Sequence, residues 1–174
     1  MMRKVLLITV MMFTLFKLTS EKDIKIQLKG VNSNGISIYK INLDSISFKK
    51  RKVSNCSNCL KINKEDLKKI PLLTENEIEE FDYENQQIKL TDKGKKIVYD
   101  LEIPLSGLPV ALTLDDQIIY GFWFWNAVSS FGCDRVYTYP KVDFKIQFGL
   151  PQNYYFGKDP RFNDQLKTYL ESKK

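Results

Sequence analysis

Apolar and polar residues alternate along several short segments, which is the pattern of strands with one buried face. The alternation is clearest at residues 22–29 and resumes at 36–41, after a turn rich in Gly, Asn and Ser. A weaker alternation at 43–53 and a short one at 87–90 follow. These segments predict a sheet, and the short connections between them favour antiparallel pairing.

The stretch 103–130 organises the rest of the chain and contains both tryptophans. Residues 110–114 and 118–122 are apolar and are separated by Asp115-Asp116-Gln117, which predicts a hairpin closed by a tight turn. Farther on, residues 135–148 alternate again but are interrupted by Pro140, which indicates either one long bent strand or two strands.

An aromatic tetrapeptide, Phe122-Trp123-Phe124-Trp125, follows the predicted hairpin. If the strand continues through it, the two phenylalanines share one face and the two tryptophans the other. One pair enters the core, while the opposite pair needs cover from the protein itself, from a partner or from a ligand. Tryptophan is favoured at contact sites, so this sheet face is the predicted binding surface.

Helix signals are fewer than strand signals. Thr91 is a candidate N-cap for a helix from Asp92 to about Asp100, and Thr74 begins a capping-box pattern for a short helix over 75–80. Residues 64–70 fit one or two helical turns, and Asp159-Pro160 predicts the start of a C-terminal helix. The predicted fold is α+β, a mainly antiparallel sheet with two or three short helices packed on one face.

The first twenty residues have the pattern of a secretory signal peptide. Arg3 and Lys4 precede a mostly apolar, uncharged segment at 5–16, which is short for a membrane span, and small residues at 19–20 offer a cleavage point. An uncleaved N-terminal anchor is the alternative. Residues 21–174 are then expected to form a single domain, exported to the periplasm or the extracellular space, with no membrane span after cleavage.

Charge is unevenly distributed along the predicted mature chain. Residues 21–69 carry twelve Lys or Arg against five Asp or Glu, a net +7, and residues 70–174 carry twelve against sixteen, a net −4. A basic front half fits either a solvated lysine-rich face or an acidic partner. Export makes nucleic acid an unsuitable partner.

Candidate catalytic chemistry is sparse because the chain contains no histidine. That excludes Ser-His-Asp triads, Cys-His dyads and most zinc sites, and the pattern predicts neither a metal nor a cofactor. An extracytoplasmic enzyme using carboxylates stays open, and it predicts that two of Asp115, Asp116, Asp134 and Asp143 converge in a pocket.

The three cysteines are Cys56, Cys59 and Cys133. A CxxC spacing occurs in redox and metal sites, but no strand end precedes this pair and no histidine follows it. In an oxidising compartment a disulfide is favoured, with one thiol left over that the spacing does not identify. A redox or metal protein remains an alternative.

Two family resemblances add to this picture. Residues 85–120 resemble the small head subdomain of the exported region of SecD, a subunit of bacterial protein-export machinery, through Thr91, Gly94, the Gly107-x-Pro109 entry and the acidic turn. The transmembrane helices of SecD are absent, so this resemblance implies a fold module within about 74–130 and no export function.

The longer stretch 74–130 resembles a group of small exported bacterial proteins of unknown function. The shared features are a Tyr-x-Asn turn at 83–85, the Ser-Gly-x-Pro loop at 106–109, a Tyr-Gly hairpin exit at Tyr120, and the tail with Phe124, Trp125, Ser129 and Ser130. This resemblance implies no activity.

Taken together, these patterns predict a non-catalytic, exported interaction protein of the bacterial envelope. The predicted binding residues are Trp123, Trp125, Asn126, Ser129 and Ser130, and the predicted partner is a protein. Inhibition of a toxin by an immunity-type protein and accessory binding to envelope proteins both fit this prediction.

Overall fold

The computed structural model describes residues 34–42, 60–151 and 157–173, all of which belong to the compact unit Asn32–Lys174. The predicted signal segment, the predicted strands at 22–29 and 43–53, and the pair Cys56 and Cys59 lie outside the described residues. These predictions stay predictions, as does the single-domain organisation of 21–174.

The described residues form eight strands, two α-helices and two short 3₁₀ turns. In chain order, the strands are β1 (Ile36–Lys40), β2 (Leu73–Thr74), β3 (Ile78–Asp82), β4 (Gln87–Leu90), β5 (Leu108–Leu114), β6 (Gln117–Phe124), β7 (Cys133–Tyr139) and β8 (Asp143–Leu150). The helices are α1 (Asp92–Tyr99) and α2 (Asp164–Ser172), and the 3₁₀ turns are Lys64–Asp66 and Glu75–Glu77.

All eight strands belong to one sheet in the order β2-β1-β5-β6-β7-β8-β4-β3, which curls into a half-barrel. Every neighbouring pair is antiparallel except β6 and β7, which pair in parallel through Trp123 with Tyr137 and Phe124 with Thr138. The α+β class is therefore correct in broad terms. The sheet is mixed and helices are few, so strands make up most of the described fold.

The predicted hairpin is present as β5 and β6, and its turn explains the acidic pair. Asp115 and Asp116 both have positive φ, 47° and 61°, the left-handed backbone that two-residue hairpin turns require and that Asp tolerates. Asp115 also accepts a 2.7 Å hydrogen bond from the backbone N–H of Gly35, at the start of β1. The turn thus fixes the register of the central strands.

Two helix predictions have opposite outcomes. The helix opened by Thr91 is α1, and the Thr91 hydroxyl accepts a 3.2 Å hydrogen bond from the N–H of Gly94. The capping box at Thr74 also forms, with Glu77 accepting from the Thr74 N–H at 2.9 Å. It opens only one 3₁₀ turn, however, and the predicted helix over 75–80 is wrong, because Ile78 begins a strand paired with β4.

The C-terminal helix begins later than predicted. Its N-cap is Asn163, whose side-chain oxygen accepts from the N–H of Leu166 at 3.1 Å. Asp159 does not cap it because its carboxylate is held by Arg161, at 2.6 Å. Helix α2 buries Leu166 and α1 buries Val98 in the same hydrophobic core.

The remaining segment predictions are also resolved. Residues 135–148 form two strands, with Pro140 in the turn between β7 and β8, and the helical part of residues 64–70 is limited to the 3₁₀ turn Lys64–Asp66. Neither α1 nor α2, the two α-helices in the described ranges, is long and apolar enough to cross a membrane.

Candidate functional site

The aromatic tetrapeptide divides its side chains between the two faces of β6, as predicted. Phe122 and Phe124 enter the main core, while Trp123 and Trp125 pack in a second cluster with Cys133 and Tyr137. The two indole rings meet edge to face, with centroids 6.1 Å apart. Trp123 is 8% exposed and Trp125 is 3% exposed, so the protein itself covers both faces. The two rings therefore lie in the interior of this second cluster.

Trp125 supports the loop that follows β6. Its indole N–H donates a 3.3 Å hydrogen bond to the backbone carbonyl of Phe131, which ties the far end of the loop to the buried ring. On the other side of the ring lies Gly107, where an added Cβ would come within 2.7 Å of the Trp125 ring carbons. Gly107 also has a φ of +81°, so both space and backbone favour glycine there.

Asn126 joins the loop after β6 to the loop before β5. Its side-chain amide donates to the carbonyl of Ile103 at 2.8 Å, and its side-chain oxygen accepts from the N–H of Val128 at 3.1 Å. Both ends of the carboxamide are therefore used, one between the loops and one within a turn.

Ser129 makes a second bridge between the two loops. Its hydroxyl donates to the carbonyl of Leu105 at 2.8 Å and accepts from the N–H of Phe131 at 3.2 Å. Ser130 is exposed and makes no side-chain hydrogen bond to any residue in the described ranges. Of the five predicted binding residues, the structure therefore gives four a supporting position and leaves Ser130 at the surface.

The two braced loops present three large apolar side chains to solvent. Leu105 is 53% exposed, Val128 is 81% exposed and Phe131 is 62% exposed. The Ser129 hydroxyl bonds the backbone of both Leu105 and Phe131, so these residues are neighbours across the loops. We call Leu105, Val128 and Phe131 the apolar tip. Sequence reasoning missed it because isolated apolar residues in loops follow no period, although the predicted Asn126 and Ser129 hold it together.

Among the described residues, the carboxylates of the enzyme hypothesis lie at three separate places in the fold. Asp134 and Asp143 lie at opposite ends of the β7–β8 hairpin, and Asp143 accepts a 2.7 Å hydrogen bond from the side-chain amide of Gln87. Asp115 and Asp116 form the β5–β6 turn. Within the described ranges, no group of three or more His, Cys, Asp or Glu side chains could hold a metal ion.

Cys133 is a free, buried thiol in the tryptophan cluster. Burial raises the pKa of the Cys133 thiol to about 11, and the thiol donates a weak 3.9 Å hydrogen bond to the backbone carbonyl of Arg135. The thiol is therefore protonated at neutral pH and behaves as a small apolar side chain. A disulfide between Cys56 and Cys59 stays a prediction, since both lie outside the described residues.

Comparison with known proteins adds no relative. No protein-family model, no curated protein and no solved structure matches the chain. The resemblances to the SecD head subdomain and to small exported proteins therefore stay predictions, and the site has to be interpreted from its own residues.

Proposed function

We propose that this chain is a non-catalytic, exported interaction protein of the bacterial envelope, and that it contacts a protein partner through the apolar tip. The signal-like pattern at residues 1–20 supports export. The tryptophan-bearing sheet face has a supporting role in this proposal, because it holds the loops that carry the contact residues.

The observation that carries the proposal is the rigid exposure of the tip. Trp125, Asn126 and Ser129 together make five hydrogen bonds that fix the loop after β6, three of them reaching across to Ile103, Leu105 or the buried indole. Such bracing reduces the entropy lost on binding, since the loops are already ordered. Exposed apolar clusters of this kind mark interaction sites more often than single exposed residues do.

The size of the apolar tip limits the binding free energy that it can contribute, and other contacts with the partner must supply the rest. Fully burying a Leu, Val or Phe side chain contributes about 1.5–3 kcal/mol. Since the three side chains are already partly buried, the tip supplies roughly 3–6 kcal/mol on contact. Association itself costs about 4–15 kcal/mol, so the tip acts as a hot spot within a larger interface. The basic front half of the chain is the proposed source of further contacts with an acidic partner.

The test is capture from the native envelope with a variant that changes only the tip. Val128→Ser with Phe131→Ser removes two exposed apolar side chains and leaves the bracing groups of Trp125, Asn126 and Ser129 in place. The control is Ile70→Ser, which removes one large apolar side chain that is 76% exposed elsewhere on the chain.

We expect the wild type and the Ile70→Ser variant to retain the same envelope protein, and the tip variant to lose it. Thermal unfolding should be alike for all three, since every altered residue is exposed. Equal retention by the tip variant would contradict the proposal.

A further inference from the structure

The molecule has a groove where its sheet separates. Strands β4 and β8 are joined by one ladder pair, Gln87 with Lys145, and no further ladder pair links Ile88–Leu90 with Asp143–Phe144, which line the groove. Helix α1 and the β7–β8 turn form the other walls, and the groove between them has a volume of about 740 Å³. This volume falls in the range of small-ligand sites, about 300–1,000 Å³.

The floor and walls of the groove are apolar. Its floor consists of the core residues Ile88, Leu90, Val98 and Phe144, all of which are at least nine-tenths buried. Pro140, Val142 and the ring of Tyr99 extend this lining to the surface, where Tyr99 and Val142 are both highly exposed. The lining contains no Ser, Thr, Asn or Gln side chain.

The rim of the groove is positively charged. Of its four lysines, Lys89 pairs with Glu79 and Lys95 pairs with Asp92. Lys141 donates to the carbonyl of Tyr99 at 2.8 Å, and neither it nor Lys96 forms an ion pair with any described residue. Asp143 is the one acidic side chain in the lining, and the Gln87 amide already bonds it. Two ammonium groups without an ion-pair partner among the described residues therefore flank an apolar channel, one on α1 and one on the β7–β8 turn.

We propose that this groove binds the anion of a long-chain fatty acid, with the hydrocarbon chain along the floor and the carboxylate between Lys96 and Lys141. A hydrocarbon chain needs no hydrogen-bond partners, which matches a lining whose only side-chain hydroxyl belongs to the highly exposed Tyr99. A peptide would leave backbone groups unsatisfied there, and a phospholipid headgroup would leave glycerol oxygens unsatisfied. A carboxylate has two oxygens, so each of the two lysines can donate to one of them. This inference does not depend on the apolar tip.

Titration calorimetry with the full mature chain tests the site. Sodium palmitate, kept below its micellar concentration, should bind saturably at one site per chain. Monopalmitoylglycerol has the same chain with a neutral head, and it should bind at least about tenfold more weakly. Palmitoyl lysophosphatidylglycerol and an acidic amphipathic peptide are the competing ligands, and both should bind more weakly than palmitate.

Two variants with the same change in charge locate the site. Lys96→Glu with Lys141→Glu should weaken palmitate binding at least about tenfold. Lys145→Glu with Lys167→Glu, which reverses two exposed lysines outside the groove lining, should change it less than about twofold. Circular dichroism checks that both variants are folded. Val142→Asp places a carboxylate at the groove mouth and should block palmitate binding independently of the lysines.

Failure of palmitate to bind the folded wild type would overturn the proposal. Equal binding of the neutral monopalmitoylglycerol, tighter binding of the lysophospholipid or the peptide, or equal loss in both lysine variants would also overturn it.

Discussion

Asn126 braces the apolar tip through both ends of its carboxamide, so Asn126→Ala tests the bracing directly. The substitution removes two hydrogen bonds, one to the Ile103 carbonyl and one from the Val128 N–H. A net contribution of about 0.5–1.5 kcal/mol for each bond gives a loss of about 1–3 kcal/mol. Because Val128 lies at the surface, where water replaces the lost acceptor, we expect the lower half of this range, about 1–2 kcal/mol.

Urea unfolding followed by tryptophan fluorescence measures this loss. With a slope of about 2 kcal/mol per molar urea, the midpoint should fall by roughly 0.5–1 M. Amide hydrogen exchange gives the local signal, since Val128 and Phe131 should exchange faster while β5 and β6 keep their protection. Ser130→Ala is the matched control and should stay within about 0.5 kcal/mol of the wild type. If Asn126→Ala is as stable as that control and exchange is unchanged, the bracing argument is refuted.

Three further predictions concern other buried groups. The Tyr120 hydroxyl is buried without a hydrogen-bond partner among the described residues, so Tyr120→Phe should raise the free energy of unfolding by about 1 kcal/mol. A lower free energy of unfolding in urea would contradict this prediction. Burial opposes ionisation of Glu77, but hydrogen bonds from Lys93 and Thr74 outweigh it and lower its pKa. Ionised Glu77 therefore stabilises the fold fully above the pKa that it has in the unfolded chain, and this stabilisation is lost as the pH falls through its lower folded pKa. Glu77→Gln should make the free energy of unfolding, measured against pH, less dependent on pH in this acidic range. Finally, iodoacetamide at mildly alkaline pH should modify Cys133 slowly in the folded protein and quickly in urea, and equal rates would show that the thiol is accessible.

Local sequence patterns correctly predicted those elements for which the tertiary contacts favour the same secondary structure as the local sequence. The hairpin turn at Asp115 and Asp116, the cap at Thr91 and the alternation of β6 all have a local cause, and each appears at the expected place. At Thr74 the capping box forms, but pairing of β3 with β4 limits it to one turn. The capping-box pattern does not report that the residues after it pair with β4, the next strand along the chain.

The candidate site was predictable only in part. Asn126 and Ser129 were expected to touch a partner, and the structure shows that they also hold two loops together. The apolar tip and the groove depend on which loops and strands become neighbours in space, and no spacing along the chain reports this. Leu105 and Phe131 are far apart in sequence and share one serine hydroxyl.

Site-specific photo-crosslinking from the tip is the most direct test of the central claim. A benzophenone amino acid is placed at Phe131 in one variant and at Ile70, which is similarly exposed, in another, and each is irradiated in the native envelope. Our account predicts a discrete crosslinked protein from position 131 that is lost when Val128→Ser and Leu105→Ser are added, and none from position 70. No product from position 131, or the same product from both positions, would contradict it.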